Sequence, residues 1–192
     1  NFEMKKVILV HGWGGSPQND WFPWASEKLN ELGFDVIVPA MPDTDTPKIE
    51  PWVNKLKEVS GNIDKQTIFI GHSIGCQAVL RFLEALDGDV KVSKVILVAP
   101  WMALDEETIA EEGPESIEIS KPWMETPIDF EKVKTHSNKF VAIFSDNDPF
   151  VPLNQKELFE KALSAQIIVQ HDNGHFTQSD DIYELPIILD LV

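Results

Sequence analysis

Thr67-Ile68-Phe69-Ile70-Gly71-His72-Ser73-Ile74-Gly75-Cys76-Gln77-Ala78-Val79-Leu80-Arg81-Phe82-Leu83 runs from an apolar stretch into a helical pattern through one short turn. Thr67–Ile70 reads as a strand apolar on both faces, as a parallel sheet covered by helices requires. Beyond it, Ile74, Ala78, Val79, Phe82, Leu83 and Leu86 recur at helical spacing and form one apolar stripe. The turn between them, Gly71-His72-Ser73-Ile74-Gly75, has the form Gly-x-Ser-x-Gly, which arises by chance in about one chain in twenty of this length. Its setting gives it weight. In so sharp a strand-to-helix turn the serine is held in a strained backbone conformation with Oγ exposed, and the glycines let strand and helix approach closely. The helix N-terminus then favours negative charge developing nearby. A Gly-rich packing turn without chemistry is the competing reading.

The same alternation extends in both directions. Val7–Val10 is a first strand that ends in the Gly-rich His11-Gly12-Trp13-Gly14-Gly15, and a helix follows over about 22–32 with Asp20 near its cap and Gly33 past its end. Val36–Val38 is the second strand. Pro39 to Pro51 holds four prolines and reads as an extended loop before a short helix around Trp52–Val59. Val95–Val98, Phe140–Phe144 and Ile167–Val169 are the fourth, fifth and sixth strands, with a helix over about 155–163 and a last helix starting near Asp181. Such alternation predicts a three-layer α/β/α architecture on a mainly parallel six-stranded sheet, residues 1–192 forming one domain. Trp101 to Phe130 is too long for a plain crossover loop. It carries nine acidic residues against one basic residue, Lys121, a net −8 that is half the −16 of the whole chain. Helical propensity is fair around Asp105–Glu112, and Gly113-Pro114 then breaks the pattern.

Composition narrows the function classes. With 192 residues, 43% of them hydrophobic, the chain can bury a core and is not of the disordered type. The charge of −16 repels phosphate backbones and anionic lipid, so neither nucleic acid nor a membrane is expected as a partner. No apolar run reaches the roughly 18 residues of a spanning helix. Asn1 to Lys6 lacks a signal peptide's apolar region, and Met4 reads as the natural start behind an appended Asn1-Phe2-Glu3. A single cysteine, Cys76, rules out an intramolecular disulfide and fits a cytoplasmic protein. The expected assembly is a monomer or weak homodimer.

A serine hydroxyl needs a base before it attacks anything. Where Gly-x-Ser-x-Gly works on a strand–turn–helix, an acid follows the serine in the chain and a histidine comes last. Asp148 and Asp146 both lie just beyond the fifth strand; either could orient a histidine, and both could be turn-forming carboxylates. His175 follows the last strand, where the final loop can reach the turn. His171 competes from nearer the strand body, His136 lies at the opposite edge of the sheet, and His72 reads as structural. Pairing His171 with His175, or Asp146 with Asp148, supplies no full coordination sphere, so neither a metal nor a cofactor is expected. Oxyanion donors are expected from the Ile74 N–H and from Gly12 and Trp13 after the first strand. Trp13, Trp101, Trp123 and Phe150 are candidates for an apolar acyl pocket outside the strand C-termini.

Several of these segments carry a resemblance. They are Val10-His11-Gly12-Trp13, Trp21-Phe22-Pro23-Trp24, Met41-Pro42 with Pro47 and Trp52, and Gly71-His72-Ser73-Ile74-Gly75-Cys76. Arg81-Phe82-Leu83-Glu84, Asp148-Pro149-Phe150-Val151-Pro152 and Gly174-His175-Phe176 continue the set. Together they resemble the retinoblastoma-binding protein 9 / YdeN family of small serine hydrolases, nearer its bacterial YdeN type, from about Val7 to the end. The resemblance implies a compact α/β-hydrolase fold lacking the first two strands of larger members, and a triad of Ser73, Asp148 and His175. It implies no particular substrate. An L-x-C-x-E motif is absent, because Ile74 and Ala78 stand where it needs Leu and Glu. The expected activity is hydrolysis of a small ester or related acyl compound through an acyl-enzyme, with the acidic 101–130 segment partly capping the site and disfavouring anionic substrates. A non-catalytic protein-binding module that keeps the fold is the alternative, and a peptidase, with no gating domain evident, a third.

Overall fold

A computed structural model describes residues 5–192. Its six strands are β1 (Lys6–Val10), β2 (Asp35–Ile37), β3 (Thr67–His72), β4 (Lys94–Val98), β5 (Phe140–Ser145) and β6 (Gln166–Gln170). They form one sheet in the order β2-β1-β3-β4-β5-β6, every pair parallel. Parallel neighbours need crossovers, and helices supply them: α1 (Phe22–Glu31), α2 (Ile49–Ser60), α3 (Ile74–Glu84), α4 (Glu106–Glu111), α5 (Pro114–Glu125), α6 (Phe130–Lys134) and α7 (Gln155–Leu163), with α8 (Ile187–Leu191) following the last strand.

The chain steps outward from β1 to β2 and then returns across β1 to β3. Right-handed crossovers in opposite directions put α1 and α2 on opposite faces of the sheet. Every later step runs the same way as β2 to β3, so α3, α6 and α7 join α2, while α8 packs against α1. Both faces are therefore covered. Val7 to Val10, Ile68 to Ile70, Val95 to Val98 and Val141 to Phe144 are all buried in one continuous core. Among the described residues no helix is long and apolar enough to cross a membrane.

Four departures from the expected elements have local causes. α2 begins at Ile49, taking Pro51 into its first turn, where the missing N–H has no intrahelical partner to lose. Gly113-Pro114 ends α4 but also starts α5, with Pro114 at the first helical position, so most of 101–130 is helical. Asp20 does not cap α1; its Oδ1 accepts the Gln178 N–H at 2.8 Å. The last helix starts at Ile187 behind Pro186, because Asp181 turns left-handed (φ +61°) and closes a short 3-10 turn at Gln178–Asp180. The expected start at Met4 lies outside the described residues.

Candidate active site

β3 delivers Ser73 to the C-terminal edge of the sheet and α3 begins at the next residue. Ser73 has φ +55° and ψ −122°, the strained geometry that so abrupt a turn imposes on a residue with a Cβ. Its neighbours must be glycine for steric reasons. A Cβ on Gly71 would sit 2.9 Å from the Cys76 backbone, and one on Gly75 would sit 2.4 Å from the Val10 carbonyl oxygen. The turn is thus wedged between its own helix and the end of β1. The Ser73 N–H donates to Val98 O at 2.8 Å, tying it to β4.

Ser73 Oγ lies 2.9 Å from His175 Nε2, and His175 Nδ1 lies 2.8 Å from Asp148 Oδ2. Asp148 Oδ1 accepts the backbone N–H groups of Phe150 (2.9 Å) and Val151 (3.2 Å). The Asp148 side chain is 1% exposed and that of His175 14%, so the pair is shielded from water but open toward the serine. With a carboxylate accepting at Nδ1, the imidazole carries its proton there and leaves Nε2 free to accept from Ser73. The competing residues pair with each other. His171 Nδ1 meets Asp146 Oδ2 at 2.5 Å on an exposed edge. There the histidine holds the Asp146 carboxyl below its usual range, and Asp146 holds the imidazole above its own. Cys76, behind the turn, is no rival nucleophile, since burial pushes its thiol's pKa up.

Two further histidines brace the site. His72 is buried against Trp21 and Phe22, and its Nε2–H donates to the His175 carbonyl oxygen at 2.9 Å. Burial, and then the charge of nearby His175, pushes His72 down to about 3, so it stays neutral while it holds the loop that carries His175. His11 accepts the Met41 N–H at Nε2 (2.9 Å), so its Nδ1–H donates to Gly12 O (2.8 Å). Burial lowers its pKa too.

The Gly-rich loop after β1 is held from the Pro-rich segment. Gly14 N–H donates to Thr44 O at 2.8 Å, and Trp13 Nε1 to Asp45 O at 3.0 Å. A Cβ on Gly12 would lie 3.2 Å from the His72 carbonyl oxygen and 3.4 Å from the Ser73 Cβ, so this loop packs directly against the turn. The Ile74 N–H, first in α3, has no carbonyl of its own helix to bond.

A cavity of about 380 Å³ opens over Ser73 and His175, a size suited to a small ligand. Trp13, Trp101 and Phe150 line it, with Leu104 and Ile109 from the 101–130 segment. Trp123 does not. It is fully buried elsewhere, donating Nε1–H to Pro47 O at 3.0 Å and packing edge-on against Trp52 beneath Arg81. Asp20, Asp45, Glu112 and Asp180 also reach the cavity, and no Lys or Arg is among its lining residues. Sequence reasoning reached Glu112 only through the acidic 101–130 segment, and missed Asp20, Asp45 and Asp180 as cavity residues together with the His72 clamp, whose one signal was its place beside the serine.

The chain is similar to known proteins over nearly its whole length. The serine hydrolase family profile matches residues 7–192. YdeN of Bacillus subtilis (strain 168) is 29% identical over 189 residues, covering 98% of this chain and 94% of YdeN. Serine hydrolase RBBP9 of Rattus norvegicus is 29% identical over 184 residues, covering 94% and 91%. The crystal structure of the B. subtilis ydeN product superposes with a TM-score of 0.87 at 26% identity, covering 98% of this chain and 96% of that one. The fold is that of the α/β-hydrolases.

Proposed function

The chain belongs to the serine hydrolase family, and from that premise we propose that it hydrolyses small neutral or cationic esters through an acyl-enzyme on Ser73. The observation that carries the reading is the unbroken chain from Asp148 to His175 to Ser73 Oγ, at 2.8 and 2.9 Å, on the floor of a cavity.

His175 Nε2 takes the Ser73 proton as Oγ attacks the ester carbonyl carbon, and Asp148 stabilises the imidazolium that forms. The N–H groups of Ile74 and of Gly12 or Trp13 receive the oxyanion, where each donor is worth roughly 10²–10³ in rate. His175 then gives its proton to the departing alkoxide. Water enters and attacks the acyl carbon as His175 takes its proton; the carbon–Oγ bond breaks, His175 returns the proton to Ser73 Oγ, and the acid leaves.

The 101–130 segment acts as a partial cap, since Leu104, Ile109, Glu112 and Ser116 line the cavity. Four carboxylates with no Lys or Arg beside them raise the cost of bringing in an anion. A panel of p-nitrophenyl esters of increasing acyl length tests the reading. Turnover of the short neutral members that disappears in Ser73→Ala supports it; no turnover of any ester by folded protein rejects it in favour of a binding role.

A further inference from the structure

Trp101 offers more than an apolar wall. Its indole Nε1–H donates to Ser73 Oγ at 3.1 Å, inside a site where the ring is 1% exposed. We propose that Trp101 is a catalytic residue: its indole N–H stabilises the negative charge that gathers on Ser73 Oγ as the acyl-enzyme breaks down. The proposal rests on the reading of Ser73 as the nucleophile.

The indole is built into this position. Ala99, at the end of β4, takes a left-handed conformation (φ +51°), which a residue with a Cβ adopts only where its surroundings impose it. That kink turns the chain back toward the serine. From α3, Gln77 Nε2 donates to the Trp101 carbonyl oxygen at 3.0 Å, and Gln77 Oε1 is itself fixed by Arg81. From α7, Gln155 Oε1 accepts the N–H groups of Met102 (2.8 Å) and Ala103 (3.2 Å). Two glutamines therefore clamp the backbone immediately after the ring-bearing residue.

The valence of Oγ fits this arrangement. Its hydrogen goes to His175 Nε2, Trp101 occupies one lone pair, and the other is free to meet a carbonyl carbon. An indole N–H donates only, so it cannot act as a base and does not compete with His175. The strength of its bond follows the charge on its acceptor. In the free enzyme Oγ is a hydroxyl and already a fair acceptor, so acylation starts from a stabilised state and gains little. In the acyl-enzyme Oγ is an ester oxygen and a poor acceptor. During deacylation water's oxygen bonds to the acyl carbon and its proton moves to His175 Nε2. The carbon–Oγ bond then breaks, its electron pair stays on Oγ, and Oγ recovers the proton from His175. Charge on Oγ rises most here, where the indole faces it.

Stopped-flow hydrolysis of p-nitrophenyl acetate separates the two steps, with active sites counted by a fluorophosphonate. Trp101→Phe keeps an aromatic ring and removes the donor. The expected result is deacylation slowed about five- to tenfold, the worth of one hydrogen bond, with the acylation rate constant and fluorophosphonate labelling rate nearly unchanged. The burst of p-nitrophenolate accordingly grows toward one per site. Replacing Trp101 by β-(3-benzothienyl)alanine, with sulfur in place of N–H in a ring of the same shape, reproduces that split even where the smaller phenylalanine disturbs packing. Equal slowing of both steps, or no slowing of either, in the benzothienyl protein overturns the role of Trp101. Failure of the wild-type protein to label at Ser73 would instead remove the nucleophile reading beneath it.

Discussion

Replacing His72 by phenylalanine should change activity and acid stability in opposite directions. The ring keeps its packing against Trp21 and Phe22, but the His175 carbonyl oxygen loses the donor that holds it at 2.9 Å. That carbonyl belongs to a half-buried residue, and leaving it unpaired costs up to about 1–3 kcal/mol. The same change removes the His72 Nδ1, which is buried without a partner, and so recovers part of that cost. At pH 7 the net loss of stability is therefore about 1–2 kcal/mol. Activity suffers more if His175 is the base proposed above, because its loop is released, and a displacement of about 1 Å costs on the order of a hundredfold in rate.

Acid reverses the stability comparison. Wild-type His72 titrates near 6.5 when unfolded and near 3 when folded, so the unfolded chain binds the extra proton between those values. Its contribution is intact above pH 6.5 and is lost as pH falls toward 3, at roughly a kcal/mol per pH unit. Phenylalanine carries no such liability. Urea unfolding followed by circular dichroism should find His72→Phe less stable than wild type at pH 7 and more stable near pH 4. Turnover of p-nitrophenyl acetate at pH 7 should fall ten- to a hundredfold, and His72→Gln, which keeps a donor at the same reach, should recover part of it. A Phe variant with turnover within twofold of wild type, or with the same pH dependence of stability, would refute the reasoning.

Other substitutions probe the rest of the frame. Asp148→Asn should lower kcat by about 10³–10⁴ by removing the carboxylate that fixes the His175 tautomer. Asp146→Asn, whose side chain meets the exposed His171 and the Asp172 N–H and neither Ser73 nor His175, should leave kcat within about threefold. Gly75→Ala forces a methyl group to 2.4 Å from Val10 O and 2.5 Å from His11 O, so urea unfolding should show a loss of about 3 kcal/mol or more. Between matched anionic and neutral esters, kcat/KM should favour the neutral one at low salt, and the gap should narrow as salt screens the cavity carboxylates. A gap that does not respond to salt would remove the steering role of Asp20, Asp45, Glu112 and Asp180.

How much of this was legible in the sequence follows from how local each feature is. The strand–turn–helix at 67–83 and the β-branched runs beside it depend on near neighbours, and their periodicities lead directly to a parallel sheet under two helical layers. Asp148 and Asp146 could not be separated on local grounds. Their separation depends on which carboxylate the chain buries against the Phe150 and Val151 N–H groups, a tertiary matter. Trp123 shows the same limit, since its ring size suits a pocket wall and a core equally, and the Pro47 carbonyl decides for the core. In 101–130 Gly113-Pro114 is a breaker and a starter at once, and only one of those roles was read. The polar edge of Trp101 was invisible because its target lies 28 residues away across a kink at Ala99.

The most direct measurement is peptide mass spectrometry of folded protein treated with a fluorophosphonate. A single adduct on Ser73 that is absent from Ser73→Ala is the result predicted here. An unlabelled wild-type protein, or an adduct that persists in Ser73→Ala, would contradict the account.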